Sequence, residues 1–286
     1  MAQRRTKKAK VTRKNNFALA KWFFKAVWFI IKLPYEIIKF FFISLHQYQE
    51  KRKQKTNIIK EEKKRTAMKA QYVPFSNILT YEGDYDKWEA QLFNSDSKIG
   101  IIIGARGKGK TALGIKLAEN LYAKNKKKIY AIGFQKIDMP AWIHVIEQVD
   151  EITNNSFVLI DEGGVLFSSR ESMSKPNKLL SDLILIARHK NLSILFISQN
   201  SSNLDVNILR QADCLLLKPS SLLQKDFERK KITEIYTEVK ENFEKFKGHR
   251  GLTYIYSEEF RGFVDNSLPS FWSQGISKSF SEKKAE

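Results

Sequence analysis

The sequence predicts an α/β fold built on a mainly parallel sheet, and three observations predict it. Short runs rich in Ile, Leu, Val and Phe recur between residues 98 and 217. Amphipathic stretches of helical period separate several of them. One run, Ile99-Gly100-Ile101-Ile102-Ile103, ends in a glycine-rich turn that opens a helix. Apolar strands joined by helical crossovers form parallel pairs covered on both faces. The elements read in order are strand 98–103, helix 110–123, strands 128–133 and 156–160, helix 176–190, and strands 193–198 and 213–217.

The turn is Gly104-Ala105-Arg106-Gly107-Lys108-Gly109-Lys110-Thr111, a complete G-x-x-x-x-G-K-T phosphate loop, or Walker A motif. Its glycines let backbone N–H groups converge on phosphate oxygens, and the helix that follows presents its positive end. ATP with Mg²⁺ is the expected ligand. Gly104, Arg106, Gly107, Lys108, Gly109, Lys110 and Thr111 form the nucleotide-binding set. Lys110 is expected to reach the β- and γ-phosphates, and Thr111 to place its hydroxyl on the metal.

Two further strand ends complete the predicted site. Phe157-Val158-Leu159-Ile160 ends in Asp161-Glu162-Gly163-Gly164. Asp161 is placed to hold the metal or its water, and Glu162 to polarise the water that attacks the γ-phosphate, as in a Walker B element. Ser193-Ile194-Leu195-Phe196-Ile197-Ser198 closes in Gln199-Asn200. Parallel-sheet sites open at that end of the strands. Gln199 is thus a candidate to span water and γ-phosphate and to report nucleotide state to the loop beyond it.

The phosphate loop, Asp161-Glu162, the Gln199 strand end and Arg188-His189-Lys190 before it together resemble the FtsK–HerA group of DNA-pumping ATPases. That group includes conjugation coupling proteins, Zot-like phage assembly proteins and viral genome-packaging ATPases. The run Asp205 to Asp213 is similar to the group's stretch after the Gln, and the resemblance covers roughly residues 98–220. It implies a RecA-like P-loop NTPase core, a hexameric ring and an arginine supplied by the neighbouring subunit. Arg170, in the polar loop Ser168-Ser169-Arg170-Glu171-Ser172, is the first candidate for that arginine. Arg188 and Arg210 stay open.

Charge is unevenly placed. Of a net +19, residues 1–70 carry 20 Lys/Arg against 4 Asp/Glu, while the remainder is nearly balanced. An excess of this kind favours an anionic partner, nucleic acid or lipid. A single Cys, Cys214, excludes a disulfide framework within one chain and fits a cytoplasmic compartment. Residues 17–45 are aromatic and aliphatic, broken by Lys21, Lys25, Lys32, Glu36 and Lys39. At roughly 100° per residue these charges share an arc of about 60°. The stripe predicts an amphipathic helix at a membrane interface or a transmembrane helix with a charged face, the ATPase domain lying on the cytoplasmic side.

The expected organisation is a basic tail (1–16), the membrane-associated helix (17–45), a basic helical connector (46–75), the ATPase domain (76–264) and a loose C-terminal tail (265–286). Gln71 to Trp88 reads as irregular, Ser220–Lys247 as a charge-laden exposed helix, and 251–257 as a strand at the sheet edge. In the tail, Phe271-Trp272 is a candidate for docking. The leading expectation is a membrane-associated ATPase moving nucleic acid, with DNA the first candidate, in packaging, conjugation or virion assembly. The alternative is an ATP-dependent assembly or scaffold protein acting on coat or secretion-channel proteins.

Overall fold

The computed structural model describes residues 2–95, 97–161, 174–204, 206–221, 223–224, 227–273 and 276. The chain divides into two compact units, Met1–Glu61 and Glu62–Glu286. The first is helical and belongs to helix α1 (Ala2–Ala67), whose described side chains from Lys39 to Lys64 are all exposed.

The predicted N-terminal membrane helix is corrected here. Among the described residues no helix is long and apolar enough to cross a membrane. Five charged side chains fall between residues 17 and 45. Each Lys costs on the order of 3 kcal/mol at a bilayer centre, so the segment's aromatic content does not yield a span. The expected membrane attachment through residues 17–45, the membrane partner and the membrane-side location of the ATPase domain are withdrawn with it.

In the second unit the order is β1 (Ser76–Gly83), α2 (Tyr85–Asn94), β2 (Ile99–Ile103), α3 (Lys110–Asn125), β3 (Lys128–Ile132), β4 (Ile143–Val145) and β5 (Ser156–Asp161). It continues with α4 (Ser174–Lys190), β6 (Ser193–Ser198), α5 (Val206–Gln211), β7 (Cys214–Leu217), α6 (Lys230–Glu238), α7 (Lys240–Lys245), β8 (Leu252–Ser257) and β9 (Phe260–Asp265). One sheet of nine strands runs β1-β9-β8-β7-β2-β6-β5-β3-β4. From β7 to β4 every pairing is parallel; β8, β9 and β1 extend the sheet past β7 by antiparallel pairings. The predicted α/β core with a mainly parallel sheet is therefore present.

Period-two alternation divides the strands between two cores. Ile101, Ile103, Val158, Ile160, Ile194 and Phe196 face one layer, with Leu183 and Ala187 of α4 and Ile232 and Ile235 of α6. Ile102, Leu159, Leu195 and Ile197 face the other, with Leu113, Leu117 and Leu121 of α3 and Trp88 of α2. β2 and β6 are buried at every position, which is why they read as continuous apolar runs.

Several readings change. The segment 71–88 is not irregular throughout, because it contains β1 and the start of α2, capped by Asp84, whose carboxylate accepts from the N–H groups of Asp86 and Lys87. β8 is interior to the sheet, paired on both sides, rather than at its edge. Residues 230–245 form two short helices that bury Ile232, Ile235, Tyr236 and Phe243. Phe271 stacks edge-on against Trp142 at 5.7 Å, so the C-terminal segment is docked at that point.

A buried ion pair ties the start and end of this unit to α3. Lys116 Nζ lies 2.8 Å from Glu119 Oε2, and both side chains are at most 1% exposed. Lys116 also donates to the Gln71 carbonyl, while Glu119 accepts from the N–H groups of Gln71 and Ser270 and from the Ser270 hydroxyl. Asn120 exchanges two bonds with the backbone of Val73.

Candidate nucleotide site

The site lies where β2, β5 and β6 end side by side. Register places Ile103 beside Ser198 and Asp161 beside Ile197, so the phosphate loop, Asp161 and the residues after Ser198 leave the sheet at one level. The loop needs glycine at more than one place. A Cβ on Gly104 would sit 2.5 Å from Lys218 Cβ, a contact that no side chain tolerates. Gly109 is left-handed at φ 81° as the N-cap of α3. The loop is also tied down through its backbone: Ala105 N–H donates to the Pro219 carbonyl at 3.1 Å.

Lys110 is 8% exposed, and its ammonium donates to the carbonyls of Gly104 at 2.8 Å and Ala105 at 3.1 Å. Thr111 Oγ1 donates to Asp161 Oδ2 at 3.0 Å, joining positions fifty residues apart. These are two hard oxygen donors at the end of the strands, the donor type that suits Mg²⁺. Arg106, Gly107, Lys108 and Gly109 are exposed at the loop crest. Gln199 is exposed just past β6. Arg188 and Arg210 are exposed in the last turns of α4 and α5. Glu162 and Arg170 lie outside the described residues.

Four residues at or near the site were not singled out from the sequence. Lys218 directly follows β7 and is 1% exposed; its ammonium donates to the Gly251 carbonyl at 2.9 Å and to Asn266 Oδ1 at 2.8 Å. Burial pulls its pKa down from the usual lysine range to about 7. The Tyr236 hydroxyl donates to the Lys218 carbonyl at 2.9 Å, bracing the strand end beneath Gly104. Burial raises the Tyr236 pKa above the ordinary phenol range. The one available signal for Lys218 was a lysine terminating the apolar strand Cys214–Leu217.

The other two are Glu228 and Arg229, which the charge pattern places on an exposed face. Glu228 is instead 8% exposed and accepts from the Ser201 N–H at 2.7 Å and from the Ser201 hydroxyl. Arg229 donates to the carbonyls of Ser201 at 3.1 Å and Leu204 at 2.5 Å. Gln224 Nε2 donates to the Gln199 carbonyl at 2.6 Å and to Glu228 Oε1 at 2.8 Å. The loop after Gln199 is thus bound along its length to the segment that precedes α6.

A strand, a complete phosphate loop and a helix at the carboxyl edge of a parallel sheet, with a strand-end Asp bonded to the loop Thr, define a P-loop nucleotide-binding fold. The family model described as Zonular occludens toxin (Zot) matches residues 114–215. The match covers a little over a third of the chain; it begins past the phosphate loop and includes Asp161 and Gln199. No curated protein matches the sequence.

Among solved structures, the genome packaging NTPase B204 of Sulfolobus turreted icosahedral virus 2 with AMP is similar at 15% identity, covering 61% of this chain and 100% of that one, with a TM-score of 0.41. B204 from Sulfolobus Turreted Icosahedral Virus, a DNA-packaging ATPase, gives 16% identity, 61% and 99% coverage and a TM-score of 0.42. The sulfate complex of the first protein gives 14% identity, 61% and 98% coverage and a TM-score of 0.43. Identity this low and superposition this partial transfer no residue roles.

Proposed function

We propose that this protein is an ATP hydrolase whose turnover does mechanical work on nucleic acid. The observation that carries the hydrolytic part is the Thr111–Asp161 hydrogen bond beside Lys110, which brings the metal-type oxygens and the phosphate-type cation to one strand edge. On this reading the Lys110 ammonium exchanges its two loop carbonyls for β- and γ-phosphate oxygens. Thr111 and Asp161 hold Mg²⁺, which, when bound, neutralises charge on those oxygens. Glu162 accepts a proton from the attacking water, and Gln199 orients that water. A second copy of the chain in a ring supplies an arginine, with Arg170 the first candidate.

The nucleic-acid part is supported by the 20 Lys/Arg among residues 1–70 against 4 acids, an excess suited to a polyphosphate backbone. ATPase assays with single- and double-stranded DNA over a salt series test it. Stimulation that falls steeply with salt is the expected result, and no stimulation at any salt overturns it.

A further inference from the structure

Among the described residues α1 offers no membrane span, yet it carries large rings open to water. Trp22 is 71% exposed, Phe24 73%, Trp28 63% and Phe40 75%, apolar surface of the kind that marks an interaction site. Lys25, Lys32 and Lys39 between them are exposed as well. Residues 1–45 hold eleven Lys/Arg against one acid, Glu36. All of these positions lie outside the 114–215 segment that the family model matches.

Helical spacing sorts the two residue types. The three lysines follow at seven-residue steps and form a stripe about 40° wide and about 21 Å long, at roughly 100° and 1.5 Å per residue. Trp28 and Phe24 lie about 40° and 80° from its centre on one side, and Trp22 and Phe40 about 80° from it on the other. A row of cations is thus bordered by rings on both sides. Lys32 Nζ stands 4.7 Å from the centroid of the Trp28 ring, and the Arg52 guanidinium 5.8 Å from that of Tyr48. Cation and ring are adjacent in both pairs, which suits a partner that offers negative charge and a flat π-face side by side.

We propose that this stretch of α1 is a binding track for single-stranded nucleic acid. Backbone phosphates follow the lysine stripe, and unpaired bases stack on Trp28 on one side and Trp22 on the other. A duplex keeps its base faces inside the stack, so it meets the lysines alone and leaves the rings unused. A second copy of the helix is a poorer match, because it brings the same excess of positive charge. The inference rests on the reading that the protein acts on nucleic acid, and it specifies which form of nucleic acid and which residues receive it.

The test measures binding of an oligothymidylate of about 20 nucleotides and of a duplex of about 20 base pairs to the full-length protein, by fluorescence anisotropy over a salt series. One variant combines Trp22→Ala with Trp28→Ala; the other combines Lys25→Gln, Lys32→Gln and Lys39→Gln, all at exposed positions. The tryptophan variant is expected to lose at least about tenfold in single-strand affinity and less than about twofold in duplex affinity. The lysine variant should weaken both and lower the single-strand salt slope by about 2. Unchanged single-strand affinity in the tryptophan variant, or equal loss for both DNAs, overturns the proposal. A fall in the oligomer's mass with unchanged single-strand affinity overturns it too, and assigns the rings to a second copy. Failure of the nucleic-acid reading looks different: the parent then binds neither DNA and shows no DNA-stimulated turnover. If the parent binds and responds to DNA while the tryptophan variant matches it, only the track fails.

Discussion

Ser201 and Glu228 are bonded twice: the backbone N–H and the hydroxyl of Ser201 both donate to one carboxylate oxygen, Oε2, of a buried side chain. Ser201 lies two residues past Gln199, and Gln224, bonded to the other Glu228 oxygen, reaches the Gln199 carbonyl. The strand end expected to sense nucleotide is therefore held from outside the parallel core.

Glu228→Ala removes the acceptor for both Ser201 donors and is expected to lower stability by about 1–3 kcal/mol, the cost of leaving such groups unpaired. Glu228→Gln, which retains one carbonyl oxygen, should lose less. Denaturant titration of both variants gives the order. If the loop position governs water placement, kcat falls in the same order while ATP affinity stays near the parent value.

Lys110→Ala is expected to reduce ATP turnover by at least about 10²-fold, since it deletes the cation that faces the transferring phosphoryl group. Thr111→Ala should also depress turnover, and its effect should be partly relieved by raising Mg²⁺, because it removes one metal-type oxygen and leaves Asp161. A steady-state assay across Mg²⁺ concentrations distinguishes the two. Near-parental rates for Lys110→Ala would falsify the site assignment.

Lys218 gives stability a pH dependence of defined sign. Its folded pKa of about 7 lies below the unfolded value near 10.5, so between those values the unfolded chain binds more protons and stability rises with pH. Below pH 7 both states hold the proton and the burial cost is fully present. Lys218→Met keeps the length without the charge and should remove up to about 1.4 kcal/mol per pH unit of that slope. Urea midpoints of parent and variant at pH 7, 8 and 9 provide the comparison, and parallel curves would contradict it.

Glu119→Leu leaves the Lys116 ammonium buried beside an apolar side chain. Breaking one partner of such a pair costs about 3–5 kcal/mol, whereas replacing both partners is far milder. The double variant Lys116→Met with Glu119→Leu should therefore recover much of the midpoint lost by the single one. A double variant less stable than Glu119→Leu would contradict this, because Lys116 would then stabilise the fold through groups other than Glu119, such as the Gln71 carbonyl.

The central sheet was legible because its strands are buried on both faces: β2, β5 and β6 announce themselves as unbroken apolar runs bounded by polar turns. The antiparallel extension was hidden where alternation fails. β1 has most positions exposed and β9 carries Arg261 and Gly262, while the parallel edge strand β4 at the other side of the sheet spans only three residues. Charge misled for a common reason. Lys116, Glu119, Lys218 and Glu228 look like surface residues until their partners are seen, and most of those partners lie far away in sequence. The lysine-striped aromatic segment misled in the other direction, since aromatic content suggested a bilayer for a helix too charged to cross one. At the site, the residues that bear chemistry were readable as motifs, but the bracing of the loop by Lys218 and Tyr236 depends on how β7 and α6 pack.

The clamp on α3 also sets an order of events during synthesis. Glu119 and Ser270 are 151 residues apart, so the helix that carries the phosphate loop leaves the ribosome long before one of its clamping segments exists. At about 5–20 residues per second the delay is on the order of ten seconds. Throughout that interval a nascent chain already holds the whole phosphate loop, yet Ser270, which completes the bonding of Glu119, has still to be made.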